Sequence, residues 1–152
     1  NENLKLVIAG PDEGEVEKLR QLAHNLNITE YIDLIGPVYD EEKWQIISQS
    51  DLFVNPAERE IFGLVPFEAL QCGVPVIVSD DSGSGKIIEE ANAGFLFKAG
   101  DEVDLCKKIK YVLDHPDEAQ QKVARGKTYI QEHLNWSAIA QDYEALYEEQ
   151  IF

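Results

Sequence analysis

Short apolar runs alternate with amphipathic stretches along most of the chain. The apolar runs predict strands, and the stretches between them carry apolar residues at helical spacing. The predicted strands cover residues 4–9, 31–35, 51–54, 74–79 and 95–97. The predicted helices cover residues 16–26, 40–47, 66–72, 86–91, 102–113, 117–133 and 137–149. Strands that alternate with helices predict an α/β fold, in which helices cover both faces of a parallel sheet.

The large apolar residues of these elements are expected to lie in the core. The first strand, residues 4–9, is expected to be buried because its apolar run is nearly continuous. The same reasoning predicts that Cys106 faces inward from the helix at 102–113. On the last helix the residues predicted to face inward are Ile139, Tyr143, Leu146 and Tyr147.

Composition supports one globular domain and narrows the choice of partners. The chain has 152 residues, of which 44% are apolar and 28% charged, a profile typical of a domain with a buried core. It contains no methionine, so we expect it to be a piece of a longer protein. Thirteen basic residues face twenty-nine acidic ones, and the formal charge is −16. Such a surface repels nucleic acid and anionic lipid.

Cysteine and histidine usage argues against disulfides and metals. Cys72 and Cys106 lie in apolar surroundings, and we interpret them as reduced core thiols of a cytoplasmic protein. Neither cysteine has metal-ligand spacing to a histidine, so no metal site is predicted. The longest strongly apolar run, residues 74–78, is too short to span a bilayer, and no signal peptide is recognisable.

In parallel α/β sheets ligands bind beyond the carboxyl ends of the strands. Four loops of this chain lie there: residues 10–14, 36–40, 55–66 and 80–86. The first lacks the glycine spacing of a dinucleotide-binding turn. The last is rich in glycine and serine but lacks the ending of a P-loop, which leaves two interpretations, an anion-binding turn or a flexible turn capped by Ser or Asp.

The loop at 55–66 and the helix after it carry the most chemistry. Pro66 suits a first helical turn, and free amides around Gly63 to Val65 would form an anion site. Glu60 and Glu68 are carboxylates that can each accept two hydroxyl hydrogen bonds from a sugar diol. From spacing alone, the alternative is that Glu60 is a solvated loop charge and Glu68 a helix surface residue.

The run from Asn55 to Asp80, NPAEREIFGLVPFEALQCGVPVIVSD, resembles the signature of retaining glycosyltransferases of family 4, the group 1 family. Glu60 and Glu68 have the E-x7-E spacing of that signature. The segment LKLVIAGPDEG resembles the family's first glycine turn, and DLIGPVYDEEKWQIISQSDLFVNP resembles its base-binding segment. NWSAIAQDYEALYEE is similar to the closing helix, so the resemblance covers nearly the whole chain.

This resemblance implies the GT-B architecture, in which two Rossmann-like lobes face each other across a cleft. Residues 1–152 would form the single carboxyl-terminal, donor-binding lobe, without its first strand and helix, and the acceptor lobe would be absent. The implied donor is a UDP- or GDP-linked hexose, and the implied acceptor is a glycan or lipid-linked sugar bound through the other lobe. No cofactor or bound metal is implied, nor a nucleic-acid partner. Membrane contact, at the inner face of the membrane, would come only through the other lobe.

The resemblance also implies roles for individual residues. Glu68 would hold the ribose hydroxyls, and Glu60, at the catalytic position, would hold hydroxyls of the transferred hexose. Backbone amides of the loop would contact the sugar and diphosphate, and the segment after the second strand would contact the base. The implied donor-binding residues are Gly36, Pro37, Val38, Ile61, Phe62, Gly63, Leu64, Val65 and Glu68.

Departures from the family pattern leave two other functions open. The family's Arg and Lys, which neutralise the diphosphate, are absent from this sequence. Lys86 stands where the family usually has Glu. Ile61 replaces a commoner Gly, a change that would narrow the sugar pocket. One alternative is a non-catalytic nucleotide-binding, sugar-binding or regulatory module of the same fold. Another is a glycosidase that uses Glu60 and Glu68 as an acid and base pair.

Overall fold

The structure is a computed structural model that describes residues 4–150. The strands are β1 (Leu6–Ala9), β2 (Ile32–Gly36), β3 (Phe53–Asn55), β4 (Val76–Ser79) and β5 (Phe95–Phe97). The helices are α1 (Val16–Asn25), α2 (Asp40–Ser48), α3 (Val65–Cys72), α4 (Gly83–Glu90), α5 (Glu102–Asp114), α6 (Pro116–His133) and α7 (Trp136–Gln150), and a 3-10 turn covers Thr29–Tyr31. The predicted alternation of strands and helices is thereby confirmed.

The strands pair as two parallel sheets, and each sheet belongs to one of two compact units divided between residues 45 and 46. In the first unit β1 pairs with β2, and the register shifts by one residue between Ile8 and Ala9. In the second unit β4 pairs with β3 on one edge and with β5 on the other. The parallel α/β class is as predicted, with its strands divided between two sheets.

The prediction that the first strand is buried is wrong. Leu6 is 51% exposed and Val7 is 41% exposed. Within the described residues β1 has a strand neighbour on one edge only. Of its four residues only Ile8 is half-buried. The apolar run therefore predicts the strand correctly but not its burial, which depends on the elements that cover its faces.

The second unit is built around β4, whose four residues are all buried. Successive side chains of a strand point to opposite faces. Val76 and Val78 pack in a cluster with residues of α3, α4 and α6, whereas Ile77 packs in another cluster with residues of α5 and α6. Helices therefore cover both faces of this sheet, as the alternation predicts.

Small residues allow α6 to approach α3 closely. A Cβ added at Gly126 would lie 2.7 Å from Cδ1 of Leu70 and 3.2 Å from Cβ of Ala93. Leu70 itself is fully buried in the cluster on this face of the sheet. The pairing of a glycine with a large leucine fixes how these two helices pack.

Several inward-facing predictions for the helical part are also wrong. Cys106 is exposed and Cys72 is half-buried, and Tyr143, Leu146 and Tyr147 on α7 are exposed. A periodic apolar stripe defines a helix face, but it does not show that another element covers that face. Among the described residues, no helix has both the length and the apolar character needed to cross a bilayer.

The core position of Leu70 makes a direct stability prediction. Leu70→Ala should lower the free energy of unfolding by about 2–5 kcal/mol, because it removes buried surface and leaves a cavity beside Gly126. Urea denaturation followed by circular dichroism measures the change. Leu22→Ala is the matched control, since Leu22 lies on a helix but is 54% exposed. Equal losses for the two variants would contradict this description of the core.

Candidate functional site

The connection from β3 to α3 leaves backbone donors open at the start of the helix. Among the described residues, the amides of Gly63, Leu64 and Val65 donate to no protein acceptor. Pro66 has no N–H, and the amide of Phe67 already bonds to the carbonyl of Leu64 at 3.0 Å. Three successive open amides at a helix start form a local site for an anion.

The carboxylate of Glu60 lies against the backbone of this same loop. Its Oε2 accepts a hydrogen bond from Nδ2 of Asn55 at 3.0 Å. Gly63 is buried, and a Cβ added there would lie 2.7 Å from Cδ of Glu60 and closer still to Oε2. The missing side chain at Gly63 is therefore what allows the carboxylate to sit beside the open amides.

The loop after β4 pairs with the loop after β3. Glu60 and Ser82 form a parallel bridge. The Gly83 amide donates to the Glu60 carbonyl at 2.8 Å, and the Arg59 amide donates to the Asp81 carbonyl at 2.8 Å. The two loops thus extend the parallel pairing beyond the carboxyl ends of their strands, and the second loop holds the main chain of Glu60.

Within the loop after β4, a serine side chain caps the helix that follows. Ser82 is the N-cap of α4, and its Oγ accepts from the Gly85 amide at 3.0 Å while donating to the Ser79 carbonyl at 2.9 Å. The Gly83 amide is taken by Glu60, as described above. Of the two interpretations of this loop, the structure favours the serine-capped turn, and the helix begins at Gly83 instead of 86.

Glu68 and several exposed apolar residues are close in sequence to the open amides. Glu68 lies in the first turn of α3, half-buried, with its Oε2 atom shielded from solvent. Ile61 is 94% exposed and Leu64 is 62% exposed. The Phe62 ring stacks on Phe67 with a centroid separation of 5.7 Å, which anchors the loop to the helix.

The segment predicted to contact a base, Gly36 to Val38, lies in the first unit. Gly36 ends β2 with φ of +75°, and its carbonyl accepts from the Gly10 amide at 2.9 Å. Gly10 and Gly36 line a cavity of about 260 Å³ together with Pro11 and Asp12. Pro37 is exposed and Val38 is half-buried. Base contact by this segment stays a prediction.

Three side chains of the helical part have shifted pKa values. A hydrogen bond donated to Glu118 raises the pKa of Tyr111, and burial lowers the pKa of Lys122. Burial also raises the pKa of Tyr129, which lines an open cavity of about 410 Å³ on α6. Among the side chains that the structure describes (residues 4–141 and 143–148), no three His, Cys, Asp or Glu residues form a group suited to a metal.

Sequence reasoning selected both glutamates and predicted the open amides, which the structure shows, but it did not single out Asn55 or Gly83. Asn55 directly follows an apolar run, and such a position at the carboxyl end of a parallel strand is where site residues gather. Gly83 lies in a Gly/Ser-rich turn, and its contact with Ile61 depends on the approach of a separate loop.

The two site glycines should respond differently to a methyl group. Gly83→Ala should lower the free energy of unfolding by about 1–3 kcal/mol, because its Cβ would overlap the backbone carbonyl of Ile61. Gly63→Ala should cost less, because the Cβ would meet the end of the flexible Glu60 side chain. Urea denaturation of both variants tests the order, and a larger loss for Gly63→Ala would contradict the described contacts.

Comparison with known proteins matches the chain to one family. Residues 1–129 match the family described as "Glycosyl transferases group 1". The chain is 31% identical to the D-inositol 3-phosphate glycosyltransferase of Corynebacterium jeikeium (strain K411), covering 97% of this chain and 36% of that protein. It is 28% identical to the N-acetyl-alpha-D-glucosaminyl L-malate synthase of Bacillus anthracis, covering 94% of this chain and 37% of that protein. The chain thus spans little more than a third of these curated relatives.

Solved structures show the same relationship. Sucrose-phosphate synthase from Thermosynechococcus elongatus superimposes with a TM-score of 0.80 at 27% identity, over 97% of this chain and 38% of that one. Anabaena Alr3699/HepE in complex with UDP gives 0.83 at 20% identity, over 96% of this chain and 41% of that one, and shows the fold alone. Both superpositions support the Rossmann-like fold of this chain. The chain belongs to the glycosyl transferases group 1 family.

Proposed function

We propose that this chain binds the nucleotide-sugar donor of a glycosyltransferase that transfers a hexose, with retention of anomeric configuration, to a glycan or lipid-linked acceptor. The observation that carries the proposal is the set of three open amides at Gly63, Leu64 and Val65 beside the Glu60 carboxylate. Backbone donors at a helix start suit a diphosphate, and an adjacent carboxylate suits sugar hydroxyls. The two kinds of group that a nucleotide sugar requires are therefore neighbours on one loop.

The charge of the chain makes backbone donors especially important. With a formal charge of −16, the surface as a whole repels a diphosphate. Amides at the start of α3 act at short range, where the helix dipole adds to their hydrogen bonds. In this proposal the diphosphate binds at Gly63 to Val65, with Ile61 and Phe62 lining the sugar, and Glu68 accepts hydroxyls of the ribose.

Other parts of the proposal rest on the family alone. Gly36 to Val38 would contact the base, and no metal or other cofactor is proposed, because amides stabilise the leaving diphosphate. The acceptor would be supplied through a further lobe of the whole protein, which would also exclude water from the reaction. Complexes with UDP and with UDP-glucose are known for the Anabaena protein of similar fold, so UDP is the first donor nucleotide to test.

Glu60 is proposed as an acceptor of sugar hydroxyls and not as the nucleophile. The side-chain NH₂ group of Asn55 donates to Oε2 of Glu60, and the backbone at Gly63 lies against one side of the carboxylate. A carboxylate held in this way can orient a hexose through two hydroxyls. A hydrolytic role would instead require Glu60 and Glu68 to act as an acid and base pair across a glycosidic bond.

Calorimetric titration without metal tests the proposal. UDP, GDP, ADP and their sugar conjugates are titrated into the 152-residue chain, and one nucleotide class should bind selectively. Release of free sugar from a nucleotide-free glycoside would favour the glycosidase. Binding of a nucleotide sugar without transfer, by the whole protein supplied with acceptors, would favour the non-catalytic module.

Glu68→Ala should weaken nucleotide binding by about 1–3 kcal/mol, because the ribose hydroxyls lose a charged acceptor. Calorimetry gives the change in affinity for the nucleotide that the unaltered chain binds. Glu89→Ala is the matched control, since Glu89 is exposed in the last turn of α4 and takes no part in the proposed site. Unchanged affinity together with a large loss of stability would assign Glu68 a structural role.

A further inference from the structure

Asn55 links the end of β3 to the Glu60 carboxylate. It is the last residue of β3, where it pairs with Val78 of the buried central strand. Its side chain makes two contacts: Oδ1 accepts from the Ala57 amide at 3.3 Å, and Nδ2 donates to Oε2 of Glu60 at 3.0 Å. A residue anchored in the sheet thus reaches directly to a carboxylate in the loop.

The two contacts determine which way the Asn55 amide points. The Ala57 N–H can only donate, so the atom facing it must be the side-chain oxygen. That orientation places the NH₂ group towards Glu60, whose carboxylate can only accept. Both contacts would be lost or repulsive in the flipped orientation. The hydrogen-bond network therefore fixes the donor towards Glu60.

This contact constrains what the Glu60 carboxylate can do. Oε2 is engaged by the Asn55 donor, and Gly63 leaves room for the carboxylate against the backbone. The main chain of Glu60 is held separately, because its carbonyl accepts from the Gly83 amide. With its main chain and one oxygen held, the side chain loses rotational freedom before any ligand arrives, which lowers the entropic cost of binding.

We propose that Asn55 is a positioning residue, which orients the Glu60 carboxylate for hydrogen bonds to the hexose hydroxyls of the donor. The inference rests on the proposed function, since it concerns the sugar end of the same donor. It assigns Asn55 an effect on the sugar and none on the nucleotide, which the proposed function assigns to the amides and to Glu68. That difference makes the inference separately testable.

The competing explanation is that Asn55 only stabilises the turn through the Ala57 amide. Asn55→Asp separates the two roles. Aspartate keeps an oxygen that can accept from Ala57, but it replaces the donor facing Glu60 with a second carboxylate oxygen. Like charges side by side repel, so the turn is retained while the orientation of Glu60 is lost.

The measurement compares affinities for nucleotide and for sugar nucleotide. UDP, UDP-glucose, UDP-N-acetylglucosamine, GDP and GDP-mannose are titrated into the unaltered 152-residue chain, and the conjugate that binds best is kept as the probe. Asn55→Asp should weaken binding of that conjugate by about tenfold, the size of a lost hydrogen bond to a charged group. Its affinity for the bare nucleotide should fall by a much smaller factor, because the added charge lies near the diphosphate site but leaves its amides in place. The nucleotide binding that remains shows that the variant is folded.

Two further variants make the result specific. Asn25→Asp adds the same charge at an exposed position of α1 and should leave both affinities unchanged. In a Glu60→Gln background, Asn55→Asp should produce little further loss of conjugate affinity, because the carboxylate through which it acts is gone. A similar tenfold loss in that background would show that Asn55 does not act through Glu60 and would overturn the inference.

The remaining outcomes are distinct. If the unaltered chain binds nucleotide sugar and Asn55→Asp binds it equally well, the inference is wrong and the proposed function stands. If Asn55→Asp weakens nucleotide and conjugate equally, Asn55 is a structural residue of the turn and the inference is again overturned. If the unaltered chain binds neither nucleotide nor conjugate, the proposed function fails and the inference fails with it.

Discussion

Burial of β4 on both faces is the constraint on which the second unit depends. A strand with no exposed residue requires cover above and below the sheet, and in a parallel sheet that cover comes from the crossover helices. The helices must pack closely against the sheet and against each other. Glycine therefore occurs at positions where a larger side chain would overlap a neighbouring residue. At Gly94 an added Cβ would lie 2.8 Å from Cγ2 of Ile88, and at Gly126 it would meet Leu70.

The candidate site continues this same construction past the ends of the strands. The bridge between Glu60 and Ser82 extends the pairing of β3 with β4 into the loops. Gly83 allows the two loops to meet, and Gly63 allows the Glu60 carboxylate to lie against the chain. The site is therefore preorganised by backbone contacts, as a binding site for a charged ligand on an acidic protein requires.

The sequence predicted the order and type of the elements because their apolar spacing is local information. It also located the open amides, since Pro66 marks the start of α3 and the amides at a helix start have no preceding turn to accept their hydrogen bonds. It did not predict the exposure of Leu6 or Cys106, because burial depends on which distant residues cover a face.

The contact between Asn55 and Glu60 was beyond sequence reasoning for a different reason. The two residues are five apart, one at the end of β3 and the other in an irregular loop, where no periodicity relates one side chain to another. Their approach depends on the pairing with the loop at Ser82, which brings together residues more than twenty positions apart. The roles proposed for both glutamates came from their carboxylate chemistry and from the family resemblance, whereas the contacts of Glu60 come from the tertiary structure.

The central claim is that the amides at the start of α3 bind the diphosphate of a nucleotide sugar. It is tested most directly by nuclear magnetic resonance of the ¹⁵N-labelled chain during titration with UDP-glucose. The account predicts that the largest amide shift changes occur at Gly63, Leu64 and Val65. Changes confined to the cavity around Tyr129 on α6, with those three amides unmoved, would contradict it.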